Sequence, residues 1–168
     1  MLTIRKGAPA DLGEIWPLVQ EAVAEMNAAG NPQWGPDYPT MSHYAQAIAD
    51  GELYAACGGD GAILGVAVFN TEEEDDYADL SGWEECSPAL VVHKMAVSPK
   101  AQRMGVASAL LQYAFDLARS RGLRSIRMDT YCMNGRMQCL MYKHGFHYVG
   151  NCHYPERPLA YRAFEKVL

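Results

Sequence analysis

The sequence predicts an α/β (α+β) fold, a mixed central sheet flanked by helices, on three observations. Apolar residues recur at helical spacing in the first third, and short Val-rich runs bounded by Gly and Pro follow them. One such run leads into a long helical pattern and then another strand, for which a parallel β-helix-β unit is the natural connection. At 168 residues, 49% hydrophobic and 20% charged, the chain is expected to form one domain, 1–168, with a sizeable core.

Leu2 to Arg5 reads as a short strand. Leu12, Ile15, Trp16, Val19, Val23 and Met26 then mark a helix; Pro9 suits its first turn, and Pro17 falls inside it and should bend it. AGNPQWGPDYPT is a Gly- and Pro-rich loop whose aromatics, Trp34 and Tyr38, read as exposed. A short helix, Ser42 to Ala49, ends at Asp50-Gly51. ELYAAC and AILGVAVF are strands joined through Gly58-Gly59-Asp60-Gly61 as a hairpin. The acidic TEEEDDYADLSGWEE has no periodicity and reads as a solvated, mobile loop.

ALVVHKMAV, bounded by Pro88 and Ser98-Pro99, reads as a buried strand. From about Met104 to Arg121 runs a helix with Val106, Leu110, Tyr113, Ala114 and Leu117 on one face and Gly122 as its stop. SIRMDTY is the next strand, Arg136 to His144 the last helix, and HYVGNCHY with PLAYRAFEKVL a terminal antiparallel pair. The order is β, α, α, β, β, β, α, β, α, β, β, with no repeat or low-complexity linker.

A net charge of -6 argues against general nucleic-acid or anionic-membrane binding, which needs a basic surface. No apolar run approaches the roughly 18 residues of a membrane span, and MLTIRKGAPAD lacks a signal-peptide core, so a cytoplasmic protein is expected. Five scattered cysteines, Cys57, Cys86, Cys132, Cys139 and Cys152, read as free thiols in a reducing compartment. His144, His147, Cys152 and His153 cluster in sequence, but a turn and a strand separate their roles, so structural or surface positions are expected and no metal.

QRMGVASALL sits between a strand and a helix, where unpaired backbone amides make an anion site. Gly105 lets a phosphate approach the main chain, Ala107 and Ser108 do not block it, and Lys100 and Arg103 add positive charge. Neither the P-loop pattern nor the dinucleotide-binding Gly pattern is present. Every helix has such amides, so the loop alone does not decide the matter.

VVHKMAVSPKAQRMGVASALLQYAFDLARSRG resembles the cofactor-binding core of the GNAT superfamily of acyl-CoA-dependent N-acyltransferases. Gln102, Gly105 and Ala107 fill its Gln/Arg-x-x-Gly-x-Gly/Ala signature, and Asn134, Gly145 and Phe146 match its Asn-to-Gly-Phe segment. The resemblance implies the GNAT fold, with a parallel strand pair that splays apart, and acetyl-CoA as co-substrate. It implies that the amides of Arg103, Met104, Gly105, Val106, Ala107 and Ser108 cradle the pyrophosphate. Met95, Ala96 and Val97 would present backbone to the pantetheine arm, which Asn134 would also meet. The leading reading is an N-acetyltransferase acting on a primary amine; the second is a non-catalytic acyl-CoA sensor; a redox or metal protein comes third.

Acyl transfer to an amine needs a neutral nucleophile, a stabilised oxyanion and a proton for the departing thiolate. His93, two residues before Met95, is the candidate base. Many family members carry a tyrosine four residues before the Gly-Phe glycine; here that residue is Met141, and Tyr142 stands one position late, about 100° around the helix. Tyr142, Tyr131 and water are therefore the candidate acids. Trp34, Tyr38, Tyr77 and Trp83, with acids from Glu72 to Asp76, suit a cationic amine. The expected partners are a small-molecule or peptide amine and, at most, a second copy in a homodimer, with no nucleic acid and no membrane.

Overall fold

The computed structural model describes residues 1–85 and 88–168; Cys86 lies outside them. The elements are β1 (Thr3–Lys6), α1 (Leu12–Ala28), α2 (Met41–Ala49), β2 (Leu53–Cys57), β3 (Ile63–Asn70), β4 (Leu90–Val97), α3 (Val106–Ser120), β5 (Ser125–Tyr131), α4 (Gly135–Lys143), β6 (His147–Cys152) and β7 (Tyr161–Val167). Their order is the expected one, and the strands form one mixed sheet ordered β1-β2-β3-β4-β5-β7-β6. Contacts divide the chain into two compact units, Met1–Phe69 with His93–Tyr113, and Asn70–Val92 with Ala114–Leu168.

In the first unit, β1 and β3 flank β2 in antiparallel register, and the hairpin turn closes with Gly58 N–H donating to the Ala62 carbonyl at 2.9 Å. β2 is buried along its whole length, and β3 nearly so. Against them α1 buries Ile15, Leu18 and Val19, and α2 buries Tyr44, Ala47 and Ile48. α1 runs on through Pro17. Gly13, whose carbonyl loses its donor there, and Pro17 are both exposed, so water can replace the missing bond. Trp34 is not exposed as its loop suggested: it is buried in this core, where its large apolar surface is removed from water.

In the second unit, the predicted β-helix-β connection is parallel, with Leu90 opposite Ile126 and Val91 opposite Arg127. β5 and β7 pair antiparallel from Ser125↔Val167 to Tyr131↔Tyr161. β6 joins the outer side of β7, with a register shift between Tyr148 and Gly150. A Cβ on Gly150 would lie 2.9 Å from Leu80 Cδ2, so a side chain there would have to push the end of Leu80 aside.

The acidic segment departs from the solvated loop that its composition predicts. Asp75–Asp79 forms a 3-10 turn with Tyr77 buried, and the Asp76 carboxylate accepts the His153 N–H at 2.8 Å. Trp83 donates its indole N–H to the Tyr77 carbonyl at 2.8 Å. The buried Arg127 holds the segment from below. Its guanidinium bonds Glu73 at 2.7 Å, Glu165 at 3.3 Å and the Glu85 carbonyl, and stacks 4.1 Å from the Trp83 ring centroid. An internal cation and two aromatic anchors thus outweigh the solvation of the acids.

α3 begins at Val106, two residues later than expected. Its buried face is Val106, Leu110, Leu111, Ala114, Phe115 and Ala118, with Tyr113 and Leu117 at the margin. No helix among the described residues is long and apolar enough to cross a membrane. Cys57, Cys132, Cys139 and Cys152 are free thiols. Among the described residues no group of three His, Cys, Asp or Glu side chains could hold a metal ion.

Candidate active site

The loop from β4 to α3 is built around two left-handed residues. Ser98 N–H ties its start to the Leu64 carbonyl at 2.9 Å, and Pro99–Ala101 makes a 3-10 turn with Ala101 buried. Arg103 then has φ 64° and Gly105 φ 81°. Backbone that turns this way gathers successive amides into a concave anion-binding nest. The first bond of α3 runs from Ala109 N–H to the Gly105 carbonyl at 2.9 Å, leaving the amides of Gly105, Val106 and Ala107 ahead of it at the positive end of the helix. Nothing lies within 4 Å of where a Cβ on Gly105 would stand, so the space beside the turn at this residue is open.

Three contacts hold this loop in register. Lys100 Nζ lies 3.6 Å from Glu21, and the Gln102 side-chain amide donates to Glu25, one turn further along α1. The signature glutamine is therefore engaged in positioning the loop. The third contact is Gly65 in β3, which the sequence marks only as an isolated glycine in an apolar strand. A Cβ there would stand 2.7 Å from Val106 Cγ1 and 3.0 Å from the Ala96 carbonyl oxygen. Gly65→Ala is expected to cost about 1–3 kcal/mol and push the start of α3 off the sheet. Urea denaturation would show the loss, and faster amide hydrogen exchange across 103–108 the displacement.

On β4, Met95, Ala96 and Val97 precede this loop, and His93, Lys94 and Met95 are partly exposed after the fully buried Leu90–Val92. Lys94 has φ 48°, rare for a side chain of this kind, and breaks the alternation of the strand. The Tyr44 hydroxyl donates to its carbonyl at 3.4 Å. No sequence signal marks Lys94, because lysine has no preference for this conformation. Its ammonium lies 5.8 Å from the Tyr38 ring centroid, and the His43 ring packs on the same tyrosine at 5.1 Å. His43 Nδ1 accepts the Thr40 N–H at 2.9 Å, which places the neutral ring's proton on Nε2. Burial, then the Lys94 charge, hold His43 below the usual imidazole range. The protein thus brings its own cation to Tyr38.

In the second unit, Tyr131 ends β5 fully buried, with its ring 5.2 Å from Tyr161 and its hydroxyl without a hydrogen-bond partner among the described residues. Met141 is fully buried, whereas Tyr142, the next residue on α4, is half exposed. Tyr142 packs edge-on against Phe164 at 5.4 Å, and its hydroxyl lies 3.5 Å from Arg162 Nη2. The one-residue offset thus puts methionine inside and tyrosine outside. Asn134 caps α4, its Oδ1 accepting the Met137 N–H at 3.2 Å. Trp83 has Arg127 on its ring face.

Sequence reasoning passed over Asp129. Its Oδ2 accepts the hydroxyls of Tyr77 at 3.1 Å and Tyr154 at 2.6 Å. Burial first, then the Asp129 charge, push both phenols well above the usual tyrosine range, so both remain donors. A lone acid inside SIRMDTY is the signal that would have found it.

The acetyltransferase (GNAT) family model matches residues 18–146. A search of curated protein sequences finds no match. Among solved structures, the chain is similar to a GNAT-family acetyltransferase from Streptococcus agalactiae 2603, at 26% identity and TM-score 0.86, over 99% of this chain and 95% of that one. Two others share the fold: a GNAT-family acetyltransferase from Listeria monocytogenes 4b F2365, at 21% identity and TM-score 0.78, over 99% of this chain and 95% of that one, and a ribosomal-protein-alanine N-acetyltransferase from Brucella melitensis, at 18% identity and TM-score 0.73, over 99% of each chain. Family match, mixed sheet and amide nest agree, and the chain belongs to the GNAT family of acetyltransferases.

Proposed function

We propose that this enzyme moves an acetyl group from acetyl-CoA to the primary amine of a small molecule or peptide, by direct attack of the amine in a ternary complex. The observation that carries this reading is the nest at the start of α3, with left-handed Arg103 and Gly105 and open space beside the glycine. A diphosphate fits such a donor set, because backbone amides and the helix dipole both favour anionic oxygens. The amides of Arg103, Gly105, Val106, Ala107 and Ser108 would hold the pyrophosphate, the Met104 N–H being engaged by the Ala101 carbonyl at 3.3 Å, and Met95, Ala96 and Val97 the pantetheine arm. Asn134, whose oxygen caps α4, would also meet this arm.

Acetyl-CoA supplies an activated thioester when bound. The protein must then supply a neutral amine, since an alkyl amine with pKa near roughly 10.4 is otherwise protonated. His93, partly exposed on β4, is our base. For the thiolate's proton we favour Tyr131 over Tyr142: its hydroxyl has no hydrogen-bond partner among the described residues, whereas that of Tyr142 lies beside Arg162. The free thiols fit a reducing compartment, and we take the reaction to be cytoplasmic.

The test is binding followed by turnover. CoA at about 100 times its Kd should stabilise the protein by roughly 2.7 kcal/mol, or about 5–10 °C in Tm for a chain of this size. Thiol release from acetyl-CoA should then appear only when an amine is added, with protein thiols subtracted. A protein whose Tm ignores CoA would sink the proposal.

A further inference from the structure

On a regular strand Lys94 and Ala96, two residues apart, would face the same way. Ala96 is buried in the core that α1 and α2 form with β2 and β3, so an extended Lys94 would carry its ammonium into that core. The left-handed φ of 48° avoids this: Lys94 stays partly exposed, and its ammonium stands over the Tyr38 ring. A lysine does not take such a turn on its own account, because its Cβ crowds the following carbonyl. The surrounding fold must hold it there.

Tyr44 is placed to do so. It is fully buried on α2, its ring packs on Trp16 at 6.4 Å, and its hydroxyl donates to the Lys94 carbonyl at 3.4 Å. Burial first, then the neighbouring Tyr38, push the phenol well above the usual tyrosine range, so it keeps its proton and remains a donor. Tyr38 and Tyr44 thus meet opposite ends of one residue, the first its ammonium and the second its carbonyl.

The direction of that carbonyl reaches the next residue. A trans peptide unit is planar, with its C=O and N–H pointing opposite ways, and the bond between Lys94 and Met95 is trans. With the carbonyl turned toward Tyr44, the Met95 N–H must point away from it. We propose that Tyr44 is a positioning residue, whose hydroxyl fixes the peptide between Lys94 and Met95 and so aims the Met95 N–H at the pantetheine arm of acetyl-CoA. This rests on the reading of the enzyme as an acetyltransferase whose β4 backbone meets that arm. Tyr44 itself touches no reacting atom.

Tyr44→Phe keeps the ring and removes the hydroxyl. It should lower kcat/KM for acetyl-CoA by about tenfold while leaving the CoA-induced rise in Tm in place. Glycine takes a left-handed turn without help, so in a Lys94→Gly background the same Tyr44→Phe change should cost less than about threefold. A merely structural tyrosine would give equal losses in the two backgrounds, and that result, or no loss in Tyr44→Phe, overturns the inference. The wild type provides a check free of any folding defect: CoA should slow hydrogen exchange of the Met95 amide by at least about tenfold, and an amide indifferent to CoA also overturns it. Failure of the acetyltransferase reading is distinguishable, since it would show in the wild type as no response of Tm to CoA and no thiol release with any amine, and the inference would fall with it.

Discussion

Gly105→Glu should abolish the rise in Tm given by CoA and lower acetyl transfer by roughly 100-fold, equivalent to about 2.7 kcal/mol. The left-handed φ of 81° costs an L-residue about 1–2 kcal/mol, but no atom lies within 4 Å of the new Cβ, so the fold has room for it. The effect comes from charge. A glutamate here puts a carboxylate over the amides of 103–108, where it competes with the pyrophosphate for the same donors. Gly105→Ala carries the same backbone strain without the charge and should keep most of the CoA response. Differential scanning fluorimetry and kcat/KM separate the two variants; a glutamate variant with both values unchanged would mean that the nest does not hold the phosphates.

Arg127→Ala should cost about 3–5 kcal/mol, because it leaves the fully buried Glu165 without its cation. For a chain of this size that lowers Tm by about 10 °C or more. The loss is larger than that of a surface pair, since one guanidinium serves Glu165, Glu73, the Glu85 carbonyl and the Trp83 ring together. Arg127→Lys should rescue little of it, because a point charge cannot keep the fork and the stacking at once. Urea denaturation measures both. A loss below about 1 kcal/mol would mean that Glu165 does not depend on this cation.

Secondary structure was legible here because each element has a local cause. SIRMDTY alternates and is bounded by turn signals, and its limits were read without error. The hairpin followed from four turn residues and the parallel unit from the length of its crossover. Trp34 was misread because a Gly- and Pro-rich neighbourhood predicts a loop but not which of its side chains turns inward. The acidic segment was misread because Arg127, its anchor, lies more than forty residues away in sequence.

The candidate site divides along the same line. The nest was legible because glycine at a helix start has a backbone meaning. Lys94 was not, since nothing in a lysine announces a positive φ. Asp129 was not, since its partners Tyr77 and Tyr154 come from two distant segments. Met141 is the case where counting alone sufficed: the offset read from the spacing to Gly145 is the offset between the buried methionine and the exposed tyrosine.

The register shift between Tyr148 and Gly150 bears on how this protein behaves in concentrated solution. β6 is an outermost strand, and an open edge offers its backbone to strands of other molecules, which is how sheets grow into aggregates. A shifted register twists the strand and interrupts the even spacing that such growth needs. The opposite edge, β1, has four residues, two of them the cations Arg5 and Lys6. One margin is irregular and the other short and charged, and both features work against end-to-end assembly.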